Sequence, residues 1–65
     1  MKYRGKVWGY RGDGYPLVES DETRLCIVLT EYKSKPEVGE EVEFKILVTH
    51  GNIANARRLD DLISH

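Results

Sequence analysis

Most residue types that would announce a chemical mechanism are scarce in this chain of 65 residues. There is one cysteine, Cys26, so no disulfide can form within the chain. With only His50 and His65 as further soft ligands, Cys26 cannot build a zinc site, and a structural cysteine in a reducing compartment is expected. No run approaches the ~18 apolar residues of a membrane span. The N-terminus, Met1-Lys2-Tyr3-Arg4-Gly5-Lys6, is basic but no apolar stretch comes after it, so it does not read as a secretory signal and a cytoplasmic location is expected. An excess of one charge is missing too: the formal net charge is −1. That balance argues mildly against a nucleic-acid partner, whose usual footprint is basic.

Catalytic groupings are also lacking. His50 and His65 have no acid or nucleophile beside them, and Glu40, Glu41 and Glu43 read as a solvated edge and not as an acid/base pair. Ser20, Thr23 and Thr30 stand in no nucleophile motif. No enzymatic activity, cofactor or metal is expected.

What the chain does contain is a period of two. Residues 2–11 read as a first strand ended by Gly12-Asp13-Gly14, and residues 15–20 as a second, closed by the turn formers Ser20-Asp21-Glu22. Pro16 cannot donate to a ladder, which places it at an edge, a bulge or a non-bonded position. Residues 23–30 form a third strand, with Leu25, Ile27 and Leu29 on one face and Cys26, Val28 and Thr30 on the other. Residues 31–38 read as the one long connection. In the fourth strand Val42, Phe44, Ile46 and Val48 alternate with Glu41, Glu43, Lys45 and Leu47. Thr49-His50-Gly51-Asn52 predicts a tight hairpin turn, and residues 53–59 a fifth strand. Ala54, Ala56 and Arg58 share one of its faces; Ile53, Asn55, Arg57 and Leu59 share the other.

A chain of this size buries only about 60% of its extended surface, so its core must be economical. Five short strands are best protected by closure, and the pattern predicts an all-β, five-stranded antiparallel barrel of OB-fold type over residues 1–60, with a short tail at 61–65. An SH3-like barrel would share the strand count.

The segment Lys6-Val7-Trp8-Gly9-Tyr10-Arg11-Gly12-Asp13-Gly14-Tyr15 carries the functional signal. On a regular strand Arg4, Lys6, Trp8 and Tyr10 share one face, rings beside cations. Such a face can stack on bases and neutralise phosphates. Trp8, Tyr10 and Tyr15 are the candidate stacking residues. Lys6, Arg11 and one of Arg57 and Arg58, which point to opposite faces of a regular strand, are the candidate phosphate contacts. Gly12 and Gly14 are expected to supply positive φ, and Asp13 to form the turn.

These residues resemble the cold-shock domain family, small OB-fold barrels that bind single-stranded RNA and DNA. Gly5-Lys6-Val7-Trp8-Gly9-Tyr10 looks like that family's first strand, and Gly12-Asp13-Gly14-Tyr15 like a degraded first ribonucleoprotein motif. Val38-Gly39-Glu40-Glu41-Val42-Glu43-Phe44 is similar to its fourth strand, and Ala54-Asn55-Ala56-Arg57-Arg58-Leu59 to its last. Several positions depart from the family's stacking platform: Asp13, Cys26 and Val28 stand where Phe, Phe and His are usual, and Gly9 falls where the first-strand Trp is expected, with Trp8 one place earlier. The chain also resembles TRAM domains, RNA-binding barrels with Gly-Asp-Gly after the first strand and a Pro-Gly-x-x-Val entry to a late one. Gly12-Asp13-Gly14 and Pro36-Glu37-Val38-Gly39-Glu40-Glu41-Val42 carry that likeness. Both resemblances imply a small barrel whose partner is single-stranded RNA or DNA; a monomer with no membrane partner is expected. The departures leave a second reading, a protein-interaction module anchored on Trp8 and Tyr10.

Overall fold

The computed structural model describes residues 1–60, so the tail expected at 61–65 lies outside the described residues. It contains five strands: β1 (Tyr3–Tyr10), β2 (Pro16–Glu19), β3 (Cys26–Glu31), β4 (Glu41–His50) and β5 (Ile53–Arg58). Each lies within or close to a period-two stretch of the sequence, and the differences are at the ends. β3 starts at Cys26 and not at residue 23, because Thr23 Oγ1 accepts the Leu25 N–H at 3.3 Å and holds those residues in a local turn. Thr49 and His50 continue β4, which leaves Gly51 and Asn52 as a two-residue hairpin loop. Gly51 has φ 59° and Asn52 has no positive φ, the combination that a type II′ turn requires. Pro16 opens β2, a position where a strand tolerates it.

The strands close into a barrel in the order β1-β2-β3-β5-β4, with β4 returning to β1. Every pairing is antiparallel except β3 with β5. That exception is a matter of counting. An odd number of strands cannot alternate direction around a closed ring, so one neighbouring pair must run parallel. Cys26 lies opposite Ile53 at the start of this parallel seam, and the Cys26 N–H donates to the Asn52 carbonyl at 2.7 Å.

The core is Val7, Val18, Ile27, Leu29, Val42, Phe44, Ala54 and Ala56, all buried. Tyr3 stacks on Phe44 with ring centroids 5.8 Å apart, and Leu25, Tyr32 and Ile46 pack around the margin. The two inward alanines of β5 keep that strand close to the barrel axis. β1 pairs with both β2 and β4, and at Gly5 the crossing is tight: a Cβ there would lie 2.4 Å from the Glu19 carbonyl oxygen and 2.5 Å from Val18 Cγ1. Only a residue without a side chain lets β1 bend this closely over β2.

Arg58 shares the inward face of β5 with Ala54 and Ala56 and is 8% exposed. Its guanidinium closes one end of the barrel. Nε donates to Asp60 Oδ1 at 2.9 Å, Nη1 to the Ser34 carbonyl at 2.9 Å and Nη2 to Glu40 Oε2 at 2.6 Å. Burial works against the charge of Arg58, yet the bonds to Asp60 and Glu40 outweigh it and hold its pKa above the ordinary value. Glu40 is held below the usual carboxylate range, first by the Glu37 backbone N–H and then by Arg58. Burial pushes Asp60 up, but the hydrogen bond from Arg58 and a backbone bond from Glu43 leave it depressed.

Gly5→Ala should cost at least about 2 kcal/mol in urea unfolding through overpacking. Gly9→Ala, where a Cβ meets nothing within 4 Å and φ is not positive, should change stability by less than about 1 kcal/mol. A tolerated Gly5→Ala would contradict the close crossing. For the Arg58 cluster, both carboxylates are depressed, so their contribution is complete above the unfolded carboxylate range and is lost as pH falls through the folded values. Stability should therefore hold from pH 7 to about 5 and decline below about pH 4. Arg58→Met should cost roughly 2–3 kcal/mol at pH 7, less than the 3–5 of a fully buried pair because Glu40 and Asp60 keep access to water. It should also flatten the acid decline, measured by thermal melts across pH.

Candidate functional site

The geometry of the candidate face is set by a bulge in β1. Val7 pairs with Val18 and Gly9 with Leu17, so Trp8 is an extra residue with no partner on β2. A bulge inserts one residue and reverses the phase of everything after it. Lys6 and Trp8 therefore face out while Tyr10 is carried out of their row, to a position opposite buried Pro16. The single face expected for Arg4, Lys6, Trp8 and Tyr10 is corrected accordingly: it ends at Trp8.

Trp8 is 52% exposed, and its indole has no hydrogen-bond partner among the described residues. Lys6 is exposed, stands opposite Glu19 on β2 and Glu41 on β4, and forms no ion pair within the described residues. Beside it opens a groove of about 610 Å³ lined by Arg4, Gly5, Lys6, Glu19, Ser20, Asp21, Glu22 and Glu41. Four of its lining side chains are carboxylates against two cations, a surface that does not attract phosphate. Ser20 Oγ donates to the Arg4 carbonyl and the Glu22 carboxylate accepts the Arg4 N–H, so side chains cap β1 where β2 has ended.

Tyr10 instead holds the long connection between β3 and β4. Its hydroxyl donates to the Pro36 carbonyl at 2.6 Å, and Lys35 Nζ lies 4.8 Å from the ring centroid. Part of the ring stays accessible, at 41% exposure. Lys35 had no signal of its own in the sequence, where Lys33-Ser34-Lys35-Pro36 reads only as a connection.

The β1–β2 loop positions the next pair. The Arg11 N–H donates to the Tyr15 carbonyl at 2.8 Å and the Gly14 N–H to the Arg11 carbonyl at 2.7 Å. This is a three-residue hairpin loop whose last residue, Gly14, has φ 95°. Gly12 does not share that conformation, which corrects the expectation of positive φ at both glycines. Within the loop the Arg11 guanidinium forks onto Asp13, Nε to Oδ1 at 2.9 Å and Nη2 to Oδ2 at 2.6 Å. The hydrogen bond raises the Arg11 pKa and, reciprocally, lowers that of Asp13. The same guanidinium sits 5.5 Å from the centre of the Tyr15 ring. Asp13 is thus more than a turn former.

The two C-terminal arginines do not join this face. Arg58 is the buried residue that closes the barrel end, so its nomination as a phosphate contact is corrected. Arg57 points outward but holds Glu31 across the parallel seam, with Nε 2.8 Å from Oε1. β4 separates it from β1 on one side, β3 and β2 on the other. The structure gathers Lys6 and Trp8 on β1, with Arg11 and Tyr15 at the adjoining loop and Tyr10 beside Lys35.

A second surface comes from a bulge in β4 at Leu47, which turns Val48 outward opposite Asn55. Val48 is 43% and Ile53 45% exposed, and Cys26 stands next to Ile53. Among the described residues no three His, Cys, Asp or Glu side chains gather as metal ligands, and no helix is long and apolar enough to cross a membrane. Comparison with protein-family models, curated proteins and solved structures returns no match for this chain.

Proposed function

We propose that this barrel binds single-stranded nucleic acid, RNA foremost, with little sequence preference and as a monomer. The observation that carries the proposal is the β1 bulge, which presents the one tryptophan half exposed beside Lys6, neither with a hydrogen-bond or ion-pair partner among the described residues. An indole in that position offers a flat ring to a base, and stacking of this kind tolerates any sequence. Tyr15 and Arg11 extend the contact along the β1–β2 loop, and Tyr10 with Lys35 lies at its far side. The lone, exposed Cys26 suits a reducing compartment, and the proposal places the protein in the cytoplasm.

A protein partner is the second reading. It is favoured by the ion pairs that already occupy Arg11, Arg57 and Arg58, and by the exposed Val48 and Ile53.

Titration with a short oligouridine should quench Trp8 fluorescence to saturation, and the affinity should weaken with salt by about 0.7 in log–log slope per phosphate contacted. Trp8→Ala, measured by anisotropy of a labelled oligonucleotide, should cost about 1–3 kcal/mol. Lys6→Ala should reduce the salt slope by about 0.7. A fluorescence signal indifferent to high micromolar oligonucleotide at low salt would sink the proposal and leave the protein-binding reading in its place.

A further inference from the structure

We infer that Asp13 is an internal competitor for phosphate, occupying the Arg11 fork that a nucleic-acid backbone would otherwise take and so limiting the protein's affinity. This inference rests on the proposed nucleic-acid binding. Its physical basis is geometric. A guanidinium recognises carboxylate and phosphate alike through a pair of parallel N–H donors, and the side-on pair, Nε with Nη2, is one of the two forks it offers. In this loop both of those donors, Nε and Nη2, already point at the two oxygens of Asp13. Arg11 therefore presents its ring contact with Tyr15 to a ligand while its charge is answered from within the loop.

The loop is built to keep this contact. Asp13 is two residues from Arg11, and the hairpin closed by the Arg11–Tyr15 and Gly14–Arg11 bonds fixes their separation without any contribution from the core. Pairing in so short a loop costs little ordering. It is also reversible: both side chains are about half exposed, so water and salt screen the pair and an exposed pair of this kind is weak. A phosphate can take the side-on fork of Arg11 only by displacing the carboxylate. Asp13 then works against binding twice, by holding Arg11 and by placing a negative charge where the backbone must pass. The second effect would persist without Arg11; the first would not, and that difference makes the inference testable.

The test is a double-mutant cycle on Arg11→Gln and Asp13→Asn, read by anisotropy of a fluorescein-labelled oligouridine at several salt concentrations. Asn suits the same turn position as Asp, so the loop keeps its geometry. Asp13→Asn should bind about two- to fivefold more tightly than wild type at low salt. Its salt slope should be steeper by about 0.7, the release expected for one more phosphate contact. In the Arg11→Gln background the same Asp13→Asn change should bring a clearly smaller gain, the part due to charge repulsion alone. An equal gain in both backgrounds would overturn the competition and leave simple charge repulsion. Wild-type binding that is unchanged in Asp13→Asn would overturn the inference while the nucleic-acid reading stands. Absence of binding by every form, with folding intact by circular dichroism, would remove that reading and this inference together.

Discussion

Closing a ring of five strands governs the rest of this structure. A chain this short cannot leave sheet edges open and still bury a core, and closure removes them. Because five is odd, one seam must be parallel, and here it joins β3 to β5. A parallel neighbour cannot be reached by a tight turn, so the chain must first lay down β4 on the far side of the ring and return by the Gly51-Asn52 hairpin. The small radius sets the remaining demands. β1 must serve both β2 and β4, which excludes a side chain at Gly5, and β5 must come close enough to need alanine at 54 and 56.

Much of this was legible in the residues because burial in a barrel is a period-two phenomenon. Val42 and Phe44, or Ala54, Ala56 and Arg58, fall on the inward face by alternation alone. Bulges are where the legibility ends. Trp8 and Leu47 each insert one residue and shift the facing of the strand beyond it, moving Tyr10 out of its expected row and Val48 out of the core. Gly9 within a strand was a sign of the first, since an interior glycine often marks a bulge. Leu47 gave no such sign: a bulged leucine and a paired one have the same local sequence. Arg58 shows a further limit. Its inward position was set by alternation, but its partners Ser34, Glu40 and Asp60 are brought together only by closure.

The near-neutral net charge acquires a structural meaning at the same time. The positive charges are not merely balanced in number. Arg4, Arg11, Arg57 and Arg58 each meet a carboxylate within 4 Å, on four different parts of the barrel. Lys6 forms no ion pair among the described residues although glutamates stand opposite it on both neighbouring strands. A surface arranged in this way has short-range polar structure and little long-range field. Any anionic partner would be recognised on contact and not steered from a distance.

The parallel seam also bears on how the barrel forms in time. Residue 26 meets residue 53 across it, and everything between them must already be roughly in place. The β1–β2 and β4–β5 hairpins are local and can form within microseconds. The seam cannot, because its contacts reward the chain only after a large loop has closed. The seam is therefore the pairing that demands most chain entropy in this small protein. Contacts so distant in sequence are those that slow small barrels relative to helical chains of the same length.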